Sequence, residues 1–229
     1  MKTTRLILVM SLVCLASAYA QEGDPADPAE ERYGHLEKGK SGFKETWVNP
    51  NTDWTKYNSL YLWEAEFQYR DVGPARRTRG TMMNTRQREF GISDADRLKF
   101  QEVVEEAFVK EIQQAKNFTV SDELGPNALI MRGAVLDIIS KVPPEFVGRS
   151  EVYLASIGEA TLMVELIDAA DGEVVAVVAE RRAFQSGSGR IDSMSMPTNS
   201  VTVIAEVRRW ASRAARKLRD ELDKAIAGK

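Results

Sequence analysis

Apolar and polar positions alternate along "NSLYLWEAEFQ", residues 58–68. Tyr61, Trp63, Ala65 and Phe67 fall on one side of an extended chain, and Leu60, Leu62, Glu64 and Glu66 on the other. That period of two, with its aromatic content, predicts a strand. A longer period takes over in "SDADRLKFQEVVEEAFVKEIQQAKN", where Phe100, Val104, Phe108, Ile112 and Ala115 recur at helical spacing and charged residues fill the opposite face. Ser93 stands as its N-cap, with Asp96 at the capping-box position. Strand-like runs follow. "NFTVS" is short, whereas "NALIMRGAVLDIIS" is long and nearly all apolar, the pattern of a strand central in its sheet. "GEATLMVELIDAADGEVVAVVAERRAF" predicts a hairpin: Ala160, Leu162, Val164 and Leu166 share a face, the turn ends in Asp171-Gly172, and Val174 to Ala183 returns. The closing "VTVIAEVRRWASRAARKLRDELDKAIA" reads as an amphipathic helix. Its stripe runs through Ile204, Val207, Ala211, Ala214, Leu218, Leu222 and Ala225, with Trp210 packing beside it.

Strands grouped between two helices predict an α+β domain. The expected architecture is a mixed, mostly antiparallel sheet of about five strands with two helices packed on one face. A right-handed crossover through the first helix would make the flanking strands parallel where they are neighbours.

The chain's first residues change the picture of where this domain works. "MKTTRLILVMSLVCLASAYAQ" has a basic start at Lys2 and Arg5, an apolar run from Leu6 to Leu15, and a small-x-small site at Ala18-Tyr19-Ala20. This is the pattern of a secretory signal peptide over residues 1–20, and its apolar run is too short to span a bilayer. Cys14 is the alternative processing point, as a lipid-bearing cysteine. Val13 before it is larger than the Gly, Ala or Ser such sites take, so cleavage after Ala20 is expected. The chain is then exported to the periplasm, free or associated with the outer membrane. Residues 21–41 are rich in acids, proline and glycine and are expected to form a flexible tether. Residues 42–229 are expected to form the single folded domain, with no further apolar run long enough for a membrane span.

Composition then excludes several chemistries. Beyond Cys14 there is no cysteine, and the one histidine, His35, lies in the expected tether as a solvated linker residue. Thiol and Ser-His-Asp catalysis lack their residues, as do zinc sites built on Cys or His. "SGSGR" at 186–190 lacks the Lys-Ser/Thr of a phosphate loop and reads as a linker, so no cofactor is expected. Paired carboxylates remain available for glycan chemistry, with Asp137, Glu159 and Glu165 on or near strands. Alternation assigns Glu165 to the solvent face of a half-exposed sheet. Trp47, Trp54, Tyr57, Tyr61 and Trp63 crowd the first strand and its approach, either as core or as a sugar-stacking platform.

One segment stands against the overall charge. Removing Lys2 and Arg5 moves the formal charge from −3 to −5, yet "RDVGPARRTRGTMMNTRQR", residues 70–88, holds six arginines and one acid. It has no interleaved aromatics, and an exported protein meets little nucleic acid, so a nucleic-acid patch is not expected. Arg76, Arg77, Arg79, Arg86 and Arg88 are candidate contacts for an anionic envelope partner, because guanidinium groups grip phosphate and carboxylate at two points. The plainer reading is a solvated connector.

Several segments together resemble the bacterial family of envelope lipoproteins known as domain of unknown function 3313. They are "SGFKETWVNPNTDWTKYNSLYLW", "LIMRGAVLDI", "GEATLMVELIDAADGEVVA" and the "RRWA" opening of the last helix, together covering about residues 41–222. The hairpin with its Asp-x-x-Asp-Gly turn is the most characteristic piece. The resemblance implies an exported, usually lipid-anchored domain with no assigned activity or catalytic residues. The chain departs from that pattern at Val13-Cys14 and in its longer arginine connector. Together these readings predict a non-catalytic exported envelope protein that binds an envelope protein or an anionic envelope component. The alternative is a cell-wall glycan hydrolase using paired carboxylates. Intact mass of the mature protein should correspond to a chain starting at Gln21; a diacylated species starting at Cys14 would contradict the assigned cleavage.

Overall fold

The computed structural model describes residues 32–72, 89–143, 153–154, 156–185, 196–197 and 199–228. The chain divides into two units, Met1–Gly34 and His35–Lys229, and the fold that follows is that of the second. An eight-stranded sheet is built from β1 (Glu37–Lys38), β2 (Glu45–Val48), β3 (Ser59–Leu62), β4 (Glu66–Tyr69), β5 (Thr119–Val120), β6 (Ala128–Ser140), β8 (Gly158–Asp168) and β9 (Val174–Phe184). β7 (Tyr153–Leu154) and β10 (Met196–Pro197) form a separate antiparallel pair. The long helices among the described residues are α1 (Asp94–Ile112) and α2 (Ser200–Ile226), and a 3-10 turn spans Trp54–Lys56.

The order across the sheet is β1-β2-β9-β8-β6-β3-β5, with β4 also paired to β6. β6 is central, as its apolar run predicts, and is antiparallel to β8 but parallel to β3 and β4. β3 and β5, joined through α1, are parallel neighbours as the crossover rule requires. The class is the predicted α+β, mixed and mostly antiparallel, but with more strands than the expected five. The additional strands are short. β2 has four residues and β1 two, too few for a periodic pattern to register. β1 also carries the folded part into residues expected as tether, and His35 just before it is not merely solvated. Its Nε2 lies 2.7 Å from the Val174 carbonyl oxygen and 3.4 Å from Glu173 Oε1.

The hairpin matches its pattern. Ala160, Leu162, Val164 and Leu166 are all buried in the core, and Gly172 takes the positive φ of 77° that its turn requires. Asp168 organises the turn and its surroundings. Its Oδ1 accepts from the Ala170 N–H at 2.8 Å, and its Oδ2 accepts from Lys56 Nζ at 2.6 Å and Tyr57 Oη at 2.8 Å. The first residue of the Asp-x-x-Asp-Gly turn is therefore a buried tie to the segment before β3.

The first strand differs from its expected form. β3 and β4 are separate strands, and residues 63–65 stand opposite only Arg132 and Gly133 of β6. The extra residue inverts the alternation, since a one-residue slip turns each later side chain to the other face. Leu60 and Leu62 therefore point to the core before the slip, and Phe67 and Tyr69 after it. The aromatic face predicted for Tyr61, Trp63 and Phe67 does not exist as one surface.

Both helices cover the same face of the sheet. Ser93 caps α1, accepting from the Asp96 N–H, and Asn199 caps α2 in the same way from Thr202. Phe100 of α1 meets the Phe67 and Tyr69 rings of β4 with centroids 6.2 Å apart. Phe184 of β9 touches both helices, with centroids 5.8 Å from Phe100 and 5.0 Å from Trp210. Tyr69 Oη donates to the Arg97 carbonyl, and burial pushes its phenol up to about 12. Between the helices, Arg216 reaches the buried Glu111 at 2.9 Å, and Asp223 accepts the Lys116 and Asn117 N–H groups beyond the end of α1. Among the described residues, no helix is long and apolar enough to cross a membrane.

Leu218 is 2% exposed, within the stripe predicted for α2. Leu218→Ala should therefore cost about 2–5 kcal/mol in urea unfolding. A loss under about 0.5 kcal/mol, typical of surface positions, would show that α2 does not contribute to the core.

Candidate functional site

Two places in the fold bring chemistry-bearing or guest-sized features together. The first lies on the sheet face opposite the helices. Near its end β6 carries a bulge: Leu136 to Ile139 shift register against β8, and Asp137 adopts φ 52°. Aspartate tolerates this left-handed conformation better than most residues, and a bulge re-aims a side chain. Arg70 Nε donates to Asp137 Oδ1 at 2.6 Å and Nη2 to Oδ2 at 2.5 Å, a two-point grip. Arg70 Nη1 donates to Glu89 Oε1 at 2.6 Å. Arg181 Nη1 donates to Asp137 Oδ2 at 2.6 Å, and its Nη2 to Glu159 Oε1 at 2.9 Å.

Two of the three candidate acids are thus brought together, but through an intervening cation. Hydrogen bonds from Arg70 hold the Asp137 carboxyl below the usual range, and both of its oxygens are engaged. A general acid on a glycan needs the opposite, a carboxyl whose pKa is raised. Glu165 does not join them. It is 4% exposed and bound to Arg132 at 2.6 Å, so its expected place on a solvent face is corrected: this face of the sheet is buried at its centre.

Arg76, Arg77, Arg79, Arg86 and Arg88 lie outside the described residues, as does the "SGSGR" segment. The ends of the arginine connector are described. Arg70 and Glu89 join them, the Arg70 N–H donates to the Ile138 carbonyl, and Phe90 bridges Ser140. The network thus clamps both ends of residues 70–89 to the end of β6. Sequence reasoning noted Asp137 but not this role, because its signal is backbone geometry.

The second place is an apolar cleft on the helix side, with a volume of about 320 Å³. It opens where residues 63–65 leave the regular pairing, between the β3–β4 edge and α1. Leu62 and Phe67 line it from the edge, Met131 and Val164 from the sheet, and Val104 and Phe108 from α1. Trp63 stands at its rim, 54% exposed, edge-on to Tyr61 at 6.2 Å. Glu64 and Glu105 are the charged residues of the lining. Gly133 forms part of the wall, and a Cβ there would meet only Ala65, at 3.9 Å. The five crowded aromatics do not assemble into one platform. Tyr57 is buried with Trp54 edge-on at 6.1 Å, Trp47 lies on β2 across the sheet, and Trp63 alone of them reaches this cleft. No group of acidic, histidine or cysteine side chains suited to a metal ion occurs among the described residues.

The clamp has a testable pH signature. Asp137 is more acidic when folded, so its contribution to stability is present above the ordinary carboxylate value of 3.8 and is lost as pH falls below it. Asp137→Asn should flatten that acid limb in urea midpoints measured across pH 2–7. Asp137→Ala should be less stable than Asp137→Asn by about 1 kcal/mol, since alanine tolerates positive φ poorly. Equal stability of the two variants would contradict the strained bulge.

Among solved structures, a DUF330-family protein from Xanthomonas campestris is 14% identical, with a TM-score of 0.42, and 79% of this chain and 91% of that one are covered. A DUF4136-family protein from Bacteroides thetaiotaomicron is 10% identical, covering 80% of this chain and 98% of that one, with a TM-score of 0.32. A hypothetical protein from Chlamydia trachomatis is 8% identical, covering 75% and 99%, with a TM-score of 0.36. No curated protein matches the sequence. The family model described as "Protein of unknown function (DUF3313)" matches residues 26–218, spanning the sheet, α1 and most of α2, and the chain belongs to that family.

Proposed function

We propose that this chain is an exported, non-catalytic binding module of the bacterial cell envelope. The observation that carries the reading is the cleft beside the β3–β4 slip. It is of small-molecule size, apolar in its depth, and charged only at the two carboxylates Glu64 and Glu105. The lining offers no nucleophile, and its two carboxylates are exposed instead of lying among the apolar side chains of its depth. The three acids singled out from the sequence support the same reading, since Asp137, Glu159 and Glu165 are each engaged by an arginine. The leader pattern of residues 1–20 supports export.

The arginine connector supplies a second contact in this proposal. Arg76, Arg77 and Arg79, with Arg86 and Arg88, engage an anionic envelope component. The clamp from Arg70 to Glu89 and Asp137 supports this by fixing the base of the segment. Replacing Arg76, Arg77 and Arg79 with glutamine should leave folding unchanged and reduce retention on anionic vesicles. Wild-type retention should fall as salt rises, because exposed charges are screened beyond about 8 Å at physiological ionic strength. Unchanged retention, or retention indifferent to salt, would leave the connector as a solvated loop. Crosslinking in intact envelopes, followed by mass spectrometry, tests the module itself: it should return a reproducible envelope partner. Glycan cleavage by the purified protein would favour the hydrolase reading instead.

A further inference from the structure

We propose that the cleft between the β3–β4 edge and α1 seats the hydrocarbon chain of an amphiphile whose head group is cationic, with Glu64 and Glu105 facing that head. The inference rests on the binding-module reading and names the class of its ligand. Its first support is what the cleft lacks. The side chains in its depth, among them Met131, Val135, Leu162 and Val164, offer no hydrogen-bonding oxygen or nitrogen. A peptide inserted there would bury backbone N–H and C=O groups without partners, which is costly. A hydrocarbon chain has none to satisfy, and burying it is favourable in proportion to its area.

Charge decides the head group. Glu64 on the edge and Glu105 on α1 belong to the lining from opposite sides, and both are exposed. Neither forms an ion pair with a described residue, whereas Glu106, next along α1, is bound to Arg208 at 3.0 Å. No lysine or arginine lines the cleft among the described residues. The rim therefore repels a carboxylate, sulfate or phosphate head and attracts an ammonium. Trp63 adds a ring with an apolar body and a polar edge at the level where chain meets head.

The register slip explains why the space exists. β3 packs Leu62 against the core, pairing to β6 is interrupted over 63–65, and pairing resumes at Glu66. Opposite the interruption, Gly133 has no side chain to fill the gap and Ala65 only a methyl. Gly133 has no positive φ, so its small size and not its backbone freedom is what the cleft uses.

The test uses the mature chain with three probes of equal chain length, each below its micelle concentration: dodecyltrimethylammonium, dodecyl maltoside and dodecyl sulfate. Calorimetry should show saturable binding near one equivalent for the cation. Affinity should exceed that for the sulfate by roughly threefold or more, given the modest strength of exposed charge pairs. Gly133→Leu should weaken the cation and the maltoside by about tenfold or more while keeping the wild-type melting temperature. Val109→Lys places a cation at an exposed position of the lining and should narrow the preference for cation over sulfate without touching the core. Glu64→Gln with Glu105→Gln should equalise the two charged probes and leave the maltoside unaffected. No saturable binding, affinity unchanged by both Gly133→Leu and Val109→Lys, or a wild-type preference for sulfate would overturn the proposal. If probe binding fails while a reproducible envelope partner is still crosslinked, the ligand class falls and the binding-module reading stands. Loss of both results overturns both.

Discussion

Strand side chains alternate with a period of two, and β6 imposes that alternation on three neighbours at once. Thirteen residues long, it pairs with β8 along one edge and with β3, then β4, along the other. Any residue inserted within it or in a strand beside it must move a side chain to the opposite face. Two such insertions are present. The one at 63–65 brings Phe67 and Tyr69 under Phe100 of α1 and leaves the cleft behind it. The one at Asp137 turns a carboxylate outward between Arg70 and Arg181. The helix-side cleft and the opposite-face clamp are thus consequences of one strand's register.

Those irregularities mark where the sequence was legible and where it was not. The periodic segments were readable: the Ser93 cap, the stripe of α2, and the hairpin faces from Ala160 to Leu166 follow from spacing alone. The class and the centrality of β6 followed from the grouping and apolar content of those runs. The slip at 63–65 was not readable, because "NSLYLWEAEFQ" alternates as well across the break as through an unbroken strand. A register error is invisible to a pattern that names no partner strand. Short strands such as β1 and β2 escaped for a related reason: they exist by pairing with β9 and with each other, not by local pattern.

The buried charges show the same limit. Alternation put Glu165 on the face away from Val164 and Leu166, which is where it lies, but not in water: it is buried and bound to Arg132. Asp168 looked like a turn residue and is also the shared acceptor for Lys56 and Tyr57. Asp137, which suggests acid–base chemistry in the sequence, is here held ionised by Arg70. Partner identity separates the two cases, and it becomes visible only once the strands are aligned. The cleft was the least legible feature of all, since it depends on the small size of Gly133 and Ala65 where larger residues would close the wall.

The proposed binding depends on the slip beside β6, which leaves an apolar cleft with Glu64 and Glu105 in its lining. The most direct measurement is mass spectrometry of lipids extracted from the mature protein after detergent-free isolation from its own envelope, for the wild type and Gly133→Leu in parallel. An amphiphile with a cationic head should be near equimolar with the wild type and depleted from the variant. Absence of such an amphiphile, or equal loading of the two proteins, would contradict the proposed binding.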